Sequence, residues 1–340
     1  MSRSRYRIAR AAAAGIALLT SGALLAACGG GASTAAGGSG DGGPATITVG
    51  AVSNGIAKET PITVPVVDSI RAKLPQAVRD SGSLTVGLGL LPAGSPPIGY
   101  VGTDQQTLTG SEPDLARLVA GVLGLQPKFN NSTWENLFVG LDSSKNDIGF
   151  SNITVTEQRK LKYDFASYRE DNLGFEALGT STWNFTGDYH VLAGKTIAVG
   201  SGTNQEKILL EWQNKLKAEG QVLDVKTYAD NASANLAVSS GKIDAYFTPN
   251  PAVAYQVAQT AKTPSPLRNA GTFSGAGASL QGLIAATTKK DSGLAEPVAE
   301  AINYLIQNGQ YKAWIDAWGL GNESVAKAEV NPPGLPITNS

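Results

Sequence analysis

The chain contains the sequence IGFSNITVTEQR between Ile148 and Arg159. Its apolar start is typical of a buried strand, and the polar residues after it would lie at the carboxyl end of that strand. Thr154 and Glu157 have the spacing of a capping box, so Arg159 is expected one turn inside the helix that follows. Helix N-termini beyond strand ends attract anions, and an arginine can hold a carboxylate through two parallel hydrogen bonds. The stretch therefore favours a carboxylate site, although a capped helix without a ligand is the alternative.

A second segment repeats this pattern. The strand Ile197-Ala198-Val199 is followed by GSGTNQE over residues 200–206. The small residues would let a ligand approach the backbone, and Thr203 with Glu206 can cap the next helix. Here too, a helix cap without a ligand is the alternative.

Strands and helices alternate along the rest of the chain. The predicted elements are a helix over 67–78, a strand over 84–88, a helix from 110, a strand over 128–130, a helix over 134–141, a strand over 147–150, a strand over 196–199, a helix around 208–216, a strand over 242–247 and helices around 298–306 and 311–318. The helix from 110 carries one apolar stripe, so we expect its other face to be solvated. Two βα series in one chain predict an α/β fold with two lobes and parallel strands.

The N-terminus has the features of an export signal. Four arginines up to Arg10 precede an apolar stretch, Ala11–Leu25, which is shorter than the roughly 20 residues of a membrane-spanning helix. The sequence Leu25-Ala26-Ala27-Cys28-Gly29 resembles the lipobox of bacterial lipoproteins. We expect residues 1–27 to be a signal peptide, a lipidated Cys28 to anchor the protein to the outer face of the cell membrane, and residues 28–45 to be a Gly/Ala/Ser tether.

Composition excludes several classes of function. Lys and Arg number 27 against 28 Asp and Glu, and no basic run follows the leader, which argues against nucleic-acid binding. Cys28 and His190 are the single cysteine and the single histidine, so no metal site or disulfide framework is expected. No acid and base pair can be assigned from spacing. We predict no cofactor and no catalytic residues.

The order and spacing of the motifs over residues 84–319 resemble the solute-binding proteins of polar amino-acid ABC importers, which are the bacterial extracellular solute-binding proteins of family 3. The resemblance rests on Leu84-Thr85-Val86-Gly87, Pro96-Pro97-Ile98-Gly99-Tyr100, Gly110-Ser111-Glu112-Pro113-Asp114-Leu115-Ala116, Ile153–Arg159, Tyr163-Asp164-Phe165, Gly194–Val199, Gly241-Lys242-Ile243-Asp244-Ala245 and Asn308-Gly309-Gln310-Tyr311. It implies the type 2 periplasmic-binding-protein fold, in which the chain crosses twice between two lobes with a ligand cleft between them. Residues 84–177 plus 282–336 would form lobe 1, residues 178–281 lobe 2, and residues 46–83 an N-terminal extension with a helix.

The resemblance also implies roles for single residues. Arg159 and Thr154 would bind the ligand carboxylate, with Ser151 and Asn152 beside them. Thr203 and Asn204 would close on the same group from lobe 2. Trp134 would stack on the ligand side chain and Glu112 would lie in the side-chain pocket. A core aromatic is the alternative for Trp134, and an acid favoured by the helix dipole is the alternative for Glu112.

One departure from the family bears on the ligand. The carboxylate with which the family binds the ligand ammonium falls on Pro249, which cannot accept a charge. Glu112, the neighbouring Asn250 or another group would replace it, or the ligand would lack a free α-amine. Ile98 also stands where the family commonly has Phe, and Gly110-Ser111-Glu112 replaces Gly-Phe-Asp.

The sequence thus predicts a lipid-anchored, monomeric, non-catalytic binding protein outside the cytoplasmic membrane. It would capture a carboxylate-bearing solute, a polar amino acid or a derivative, and deliver it to the permease of an ABC importer. A sensory protein that reports to a membrane receptor and a dehydratase-like enzyme on the same fold are the alternatives.

Overall fold

The structure is a computed structural model that describes residues 43–338. The predicted signal peptide, Cys28 and most of the predicted tether lie outside the described residues. Across residues 43–338, no helix combines the length and the apolar character needed to cross a membrane.

Thirteen strands are present in residues 43–338. They are β1 Ala45–Val49, β2 Thr60–Val64, β3 Ser83–Leu88, β4 Tyr100–Val101, β5 Leu108–Thr109, β6 Gln126–Asn131, β7 Ile148–Gly149, β8 Tyr163–Leu178, β9 Thr196–Gly200, β10 Asp224–Tyr228, β11 Ala245–Pro249, β12 Leu267–Ser274 and β13 Gly282–Lys289.

Nine α-helices alternate with these strands in the same part of the chain. They are α1 Asp68–Arg71, α2 Gln76–Ser81, α3 Ser111–Val122, α4 Trp134–Asp142, α5 Asn204–Ala218, α6 Asn231–Ser239, α7 Asn250–Thr260, α8 Ala295–Gln307 and α9 Gln310–Ala317. Short 3-10 turns lie at Arg159–Leu161, Tyr189–Leu192 and Gly321–Glu323.

The long strand β8 joins two groups of parallel strands. The main sheet runs β10-β9-β11-β8-β13-β7-β3-β6, and β12 also pairs with β8. β3 is parallel to β6 and β7, while β9 is parallel to β10 and β11. These two βα groups confirm the predicted two-lobed α/β fold.

The chain changes lobes within β8 and again between β12 and β13. Asp171 pairs with Gly282 of β13, whereas the next residue, Asn172, pairs with Ser274 of β12. The first change of partner therefore lies at residues 171–172, whereas the sequence-based boundary was 177–178. The crossing lies within the polar run Arg169-Glu170-Asp171-Asn172, inside one continuous strand of 16 residues, and the sequence-based boundary did not use this run.

Each lobe has its own hydrophobic core. The larger core surrounds Phe150, Tyr168 and Trp314 in lobe 1. The lobe 2 core contains Phe175 and Phe247, whose rings stack with centroids 4.3 Å apart. Two smaller clusters, around Phe165 and Tyr246, add to these cores.

The expectation that one face of α3 is solvated is wrong. Ten of its twelve residues are buried, because the β1–β2 hairpin and helices α8 and α9 pack against it. Even its acidic Asp114 is enclosed, since Oδ2 accepts hydrogen bonds from Gly50 N at 2.8 Å and Trp318 Nε1 at 3.1 Å. The N-terminal extension therefore completes the core of lobe 1.

The single helix predicted over 67–78 is also wrong. α1 ends at Arg71 and α2 begins at Gln76, with Pro75 as its N-cap. Proline lacks an N–H and disfavours helical backbone in the residue before it. The apolar spacing is real, but the proline divides it between two short helices.

Candidate functional site

A cleft lies between the lobes, beyond the carboxyl ends of the parallel strands, which is the usual location of ligands in open α/β sheets. Lobe 1 lines it with the loop 89–95, Ile98, Trp134, Ser151 and Asn152. Lobe 2 lines it with residues from the strand ends and helix starts, namely Gly200, Ser201, Thr203, Asn204, Gln205, Tyr228, Ala229, Asp230, Asn231, Tyr246, Phe247, Thr248 and Pro249. Five of the predicted binding residues, Trp134, Ser151, Asn152, Thr203 and Asn204, thus lie at one site.

The turn after β7 supplies the lobe 1 wall. Ser151 Oγ accepts a hydrogen bond from Gly89 N at 2.9 Å, which fixes the 89–95 loop next to this turn. Asn152 has a positive φ of 54°, a left-handed conformation that asparagine tolerates better than most residues. Its Oδ1 accepts a hydrogen bond from the buried Arg169. Hydrogen bonds to Gly89 and Arg169 of lobe 1 therefore fix the position of this turn.

Thr154 does not cap a helix and does not line the cleft. It forms an extended bridge with Ile284, and its buried Oγ1 donates to Asp171 Oδ2 at 2.7 Å. Thr156 Oγ1 instead accepts from Arg159 N at 3.0 Å, while the N-cap residue of the 3-10 turn, Gln158, makes no side-chain capping bond. The predicted capping box is wrong, since pairing with β13 holds Thr154 in an extended conformation before the 3-10 turn begins.

Arg159 lies behind the cleft wall and bridges the lobes. Its guanidinium carbon is 5.4 Å from the centroid of Trp134 and 5.3 Å from that of Phe138. It donates to Thr154 O at 2.9 Å and to Gly202 O at 3.5 Å. A guanidinium has five N–H donors, so three remain. Burial lowers the pKa of Arg159 to about 10 against the attraction of Asp171, which leaves it protonated at neutral pH.

Trp134 contacts both lobes at the cleft. Its Nε1 donates to Gly202 O at 3.2 Å, and its ring meets Phe138 edge-on at 5.0 Å. The side chain is half-buried. It lines the cleft while packing on the aromatic side chain beneath it, so it is available to a ligand.

The start of α5 forms the opposite wall. Thr203 is the N-cap: its Oγ1 accepts from Glu206 N at 3.2 Å, and Glu206 Oε2 accepts from Gly202 N at 2.7 Å. Asn204 donates through Nδ2 to Gly275 O at 3.0 Å and to Asp171 Oδ2 at 3.3 Å. The predicted cap is confirmed, and the N-terminal end of the helix faces the cleft.

Glu112 does not lie in the ligand pocket. It is fully buried below the cleft, where it accepts from Tyr168 Oη and lies 3.6 Å from Arg169 Nη2. Arg169 also pairs with Glu323. Burial raises the pKa of Glu112, opposed by Arg169. This network supports Asn152 from beneath because Arg169 binds both residues.

Asn250 does not line the cleft either. It is the first residue of α7, and its Oδ1 accepts from Asn269 Nδ2 at 2.9 Å. It faces a different cavity, next to Pro251 and Trp318. Pro249 does line the cleft, but α7 begins at the next residue and carries Asn250 away from it.

Two acidic residues that sequence reasoning missed lie at this site. Asp230 lines the cleft and caps α6, accepting from Ser233 N at 2.8 Å. An acidic residue between the end of a strand and the start of a helix is a sequence signal that could have identified Asp230. Glu176 lies in β8 and lines a smaller adjoining cavity. No local signal distinguishes it from the other acids of β8.

Three comparisons agree with this architecture. A family model described as bacterial extracellular solute-binding proteins, family 3, matches residues 90–321. The chain is 30% identical over 244 residues to the L-cystine-binding protein TcyJ of Escherichia coli, covering 71% of this chain and 84% of TcyJ. It is 25% identical over 272 residues to the arginine-binding protein ArgT of Corynebacterium glutamicum, covering 79% and 84%. The crystal structure of the P235GK mutant of ArgBP from T. maritima matches with a TM-score of 0.59 and 26% identity, covering 72% of this chain and 97% of that one.

Proposed function

Because the chain belongs to the bacterial extracellular solute-binding proteins of family 3, we propose that it binds an amino acid or a close derivative between its lobes and delivers it to an ABC importer. Two relatives are named for binding cystine and arginine. Both solutes carry an α-carboxylate, an α-ammonium and a polar side chain. The protein itself carries out no reaction on its solute.

The observation that supports this proposal is that polar groups of both lobes line one cleft. The start of α5 and the turn at Ser151 and Asn152 face each other across the cleft, and Arg159 contacts Gly202 next to that helix start. A solute carboxylate between them would receive N–H groups at the positive end of a helix dipole. Arg159 lies behind the cleft wall, and its Nη2 would reach the carboxylate by exchanging the 3.5 Å contact with Gly202 O for the solute.

The solute ammonium would be accepted by Asp230. Burying an ammonium without a partner is costly, and Pro249 offers none. Glu112 and Asn250 lie outside the cleft, whereas Asp230 is the one acidic residue among those that line it in the described chain. Its position at the start of α6 puts the negative group of lobe 2 opposite the lobe 1 loop.

Binding from two lobes implies domain closure. A solute that contacts Ser151 in lobe 1 and the start of α5 in lobe 2 stabilises the closed arrangement, because the open one lacks half of those contacts. We propose that the permease distinguishes the closed form. Lipidation at Cys28 would keep this form close to the same membrane.

A ligand screen tests the proposed function. Melting temperatures of the purified protein would be measured with L-arginine, L-cystine, L-lysine, L-glutamine, their N-acetyl derivatives, succinate, glucose and Zn²⁺. We expect stabilisation by at least one free amino acid and a weaker effect of its N-acetyl derivative, which lacks the ammonium. Stabilisation by glucose or Zn²⁺ with no response to any carboxylate would contradict the proposal.

A further inference from the structure

A second cavity adjoins the cleft and forms an inner compartment of it. Six residues line both spaces, three from each lobe: Ala93, Gly94, Ser95, Asn231, Tyr246 and Thr248. The inner compartment reaches further, to Glu176 on β8 and Gln256 on α7. In this shared wall Asn231 Nδ2 donates to Gly94 O at 3.2 Å, so a solute side chain that extends from the outer cleft towards Glu176 would have to displace this contact.

Glu176 is buried without any partner. Its exposed fraction is 1%, and neither carboxylate oxygen has a hydrogen bond. Burial raises its pKa to about 7, with no attracting cation among the causes. A buried carboxyl group left unsatisfied costs on the order of 1 to 3 kcal/mol or more, and a glutamine or an apolar residue would avoid the cost of burying a charge.

The strands beside Glu176 bring no positive charge into this compartment. Tyr246 of β11 pairs directly with it in the sheet, and burial raises the pKa of this phenol to about 12, so it stays neutral. Asp230, at the start of α6, lines the outer cleft and not this compartment, so Glu176 is the one carboxylate of its described lining. Arg268 of β12 pairs with the next residue, Ala177, and so lies on the opposite face of the sheet. Its guanidinium donates to Ser181 O and Asn184 Oδ1, both at 2.9 Å.

No other described element supplies a positive charge there. The facing residues of the 93–96 loop and of helices α6 and α7 are Ala93, Gly94, Ser95, Pro96, Asn231, Ala232, Asn235, Ala252 and Gln256, all uncharged. Among residues 43–338, Glu176 has no ion-pair partner within 4.0 Å. A compartment with a buried acid and no counter-charge is complementary to a cation.

We propose that Glu176 binds a second cationic group of the solute, an ammonium or guanidinium at the far end of its side chain, an inference that rests on the proposed function. The α-carboxylate would lie at Arg159 and α5, the α-ammonium at Asp230 and the distal cation in the inner compartment. The solute class is thus a basic amino acid or another solute with a second positive charge.

Binding of a cation at Glu176 is coupled to the release of protons. A cation beside Glu176 favours the ionised carboxylate and lowers its pKa. Near pH 7, where free Glu176 is partly protonated, binding a solute with a second positive charge releases protons. Affinity for such a solute is therefore full above about pH 7 and falls as the pH drops through the raised pKa, because the protonated acid has lost its charge.

The test compares solutes that differ only in the distal charge. Dissociation constants for L-arginine against L-citrulline, and for L-lysine against L-norleucine, would be measured by calorimetry with the wild type, Glu176→Gln and the control Glu211→Gln. Glu211 is a carboxylate of the same lobe that lies outside the cleft, 4.0 Å from Lys207. We expect the wild type and the control to prefer at least one charged solute by about 10-fold to 100-fold. Glu176→Gln should lose that preference and keep its affinity for the neutral solutes.

Two results would overturn the inference: an equal preference in the wild type and Glu176→Gln, or a wild type that binds the neutral solutes as tightly as the charged ones. Proton release would be measured on the wild type itself in buffers of different ionisation enthalpy at about pH 7, so a poorly folded variant does not remove the test. Release with the charged solutes and none with the neutral ones is expected. If no free amino acid binds the wild type at all, the proposed function fails. If neutral amino acids bind but the charged ones are not preferred, only the role of Glu176 fails.

Discussion

Arg159 contacts carbonyl oxygens of both lobes, so its removal tests both its structural and its binding role. We expect Arg159→Ala to weaken amino-acid binding by about 2 to 4 kcal/mol, because a carboxylate inside a closed cleft loses a charged donor. This is on the order of 30-fold to 1,000-fold in the dissociation constant measured by calorimetry.

The neighbouring Lys160 is the matched control for Arg159. It pairs with Glu157 at 2.9 Å and donates to Pro332 O at 3.2 Å, outside the cleft. Lys160→Ala removes the same charge and should leave the affinity unchanged. An unaltered dissociation constant for a folded Arg159→Ala protein would limit Arg159 to its structural contacts with Thr154 O and Gly202 O.

Asp230 combines a cap and a charge, and one substitution separates them. Asparagine caps helices as well as aspartate does, so Asp230→Asn should leave the melting temperature nearly unchanged. Its affinity for a free amino acid should fall by about 10-fold or more, because the ammonium loses its ionised partner. A parallel titration with the N-acetyl derivative should give the same affinity in both proteins. Equal losses for both ligands would argue against ammonium binding at Asp230.

Trp134 offers a ring to the solute and an N–H to Gly202. We expect Trp134→Ala to cost about 1 to 3 kcal/mol of binding free energy, measured by calorimetry, because a partly desolvated aromatic contact is lost. Trp134→Phe keeps a ring and removes only the hydrogen bond, so it should retain most of the affinity. No loss in Trp134→Ala would limit the side chain to packing on Phe138.

At the scale of elements, β2 packs so closely on α3 that residue 121 of α3 has no room for a side chain. Replacing a helical glycine by alanine normally favours the helix by up to about 1 kcal/mol. At Gly121, however, a Cβ would lie 2.6 Å from Cγ2 of the fully buried Val64. We expect Gly121→Ala to lower the free energy of unfolding by about 1 to 3 kcal/mol, measured by urea denaturation.

A double variant checks the cause of that loss. Val64→Ala alone leaves a cavity, whereas Val64→Ala with Gly121→Ala refills part of the space. The double variant should therefore be more stable than the sum of the two single changes predicts. A stabilised Gly121→Ala single variant would mean that the β1–β2 hairpin does not pack tightly on α3.

At the scale of the whole molecule, the predicted anchor is outside the described residues and is tested in cells. We expect Cys28→Ser to release the exported protein from the membrane fraction, because the lipid chains, each methylene contributing about 0.8 kcal/mol, can no longer be attached. Fractionation and immunoblotting would measure this. The same distribution for wild type and Cys28→Ser would contradict lipid anchoring. A control substitution in the predicted tether, Ser33→Ala, should not change the distribution.

The division into lobes depends on β8, whose 16 residues pair with β13 at one end and with β11 and β12 at the other. Because this one strand belongs to both lobes, the proposed closure would turn about its middle and about the return segment 274–282. That shared position also puts Glu176 and Asp171, two buried acids of β8, close to the cleft.

The sequence by itself determined what depends on neighbours in the chain. Periodicity predicted the alternation of strands and helices, Thr203 and Glu206 predicted the start of α5, and the spacing of motifs indicated the family and five residues that line the cleft. The first two follow from local chemistry, because side-chain period and caps act over a few residues, whereas the five cleft residues were implied by the resemblance to the family.

Tertiary structure alone decided which side chains face the cleft. Glu112 and Asn250 are polar residues at helix starts, just as Asp230 is, yet only Asp230 lines the cleft. Pairing with β13 turned Thr154 inward, and the β1–β2 hairpin closed over the predicted solvated face of α3. The environment of Glu176 comes from β11, α6, α7 and the 93–96 loop, segments far apart in the chain. Burial and the presence or absence of a counter-charge are properties of such distant contacts, so no local pattern encodes them.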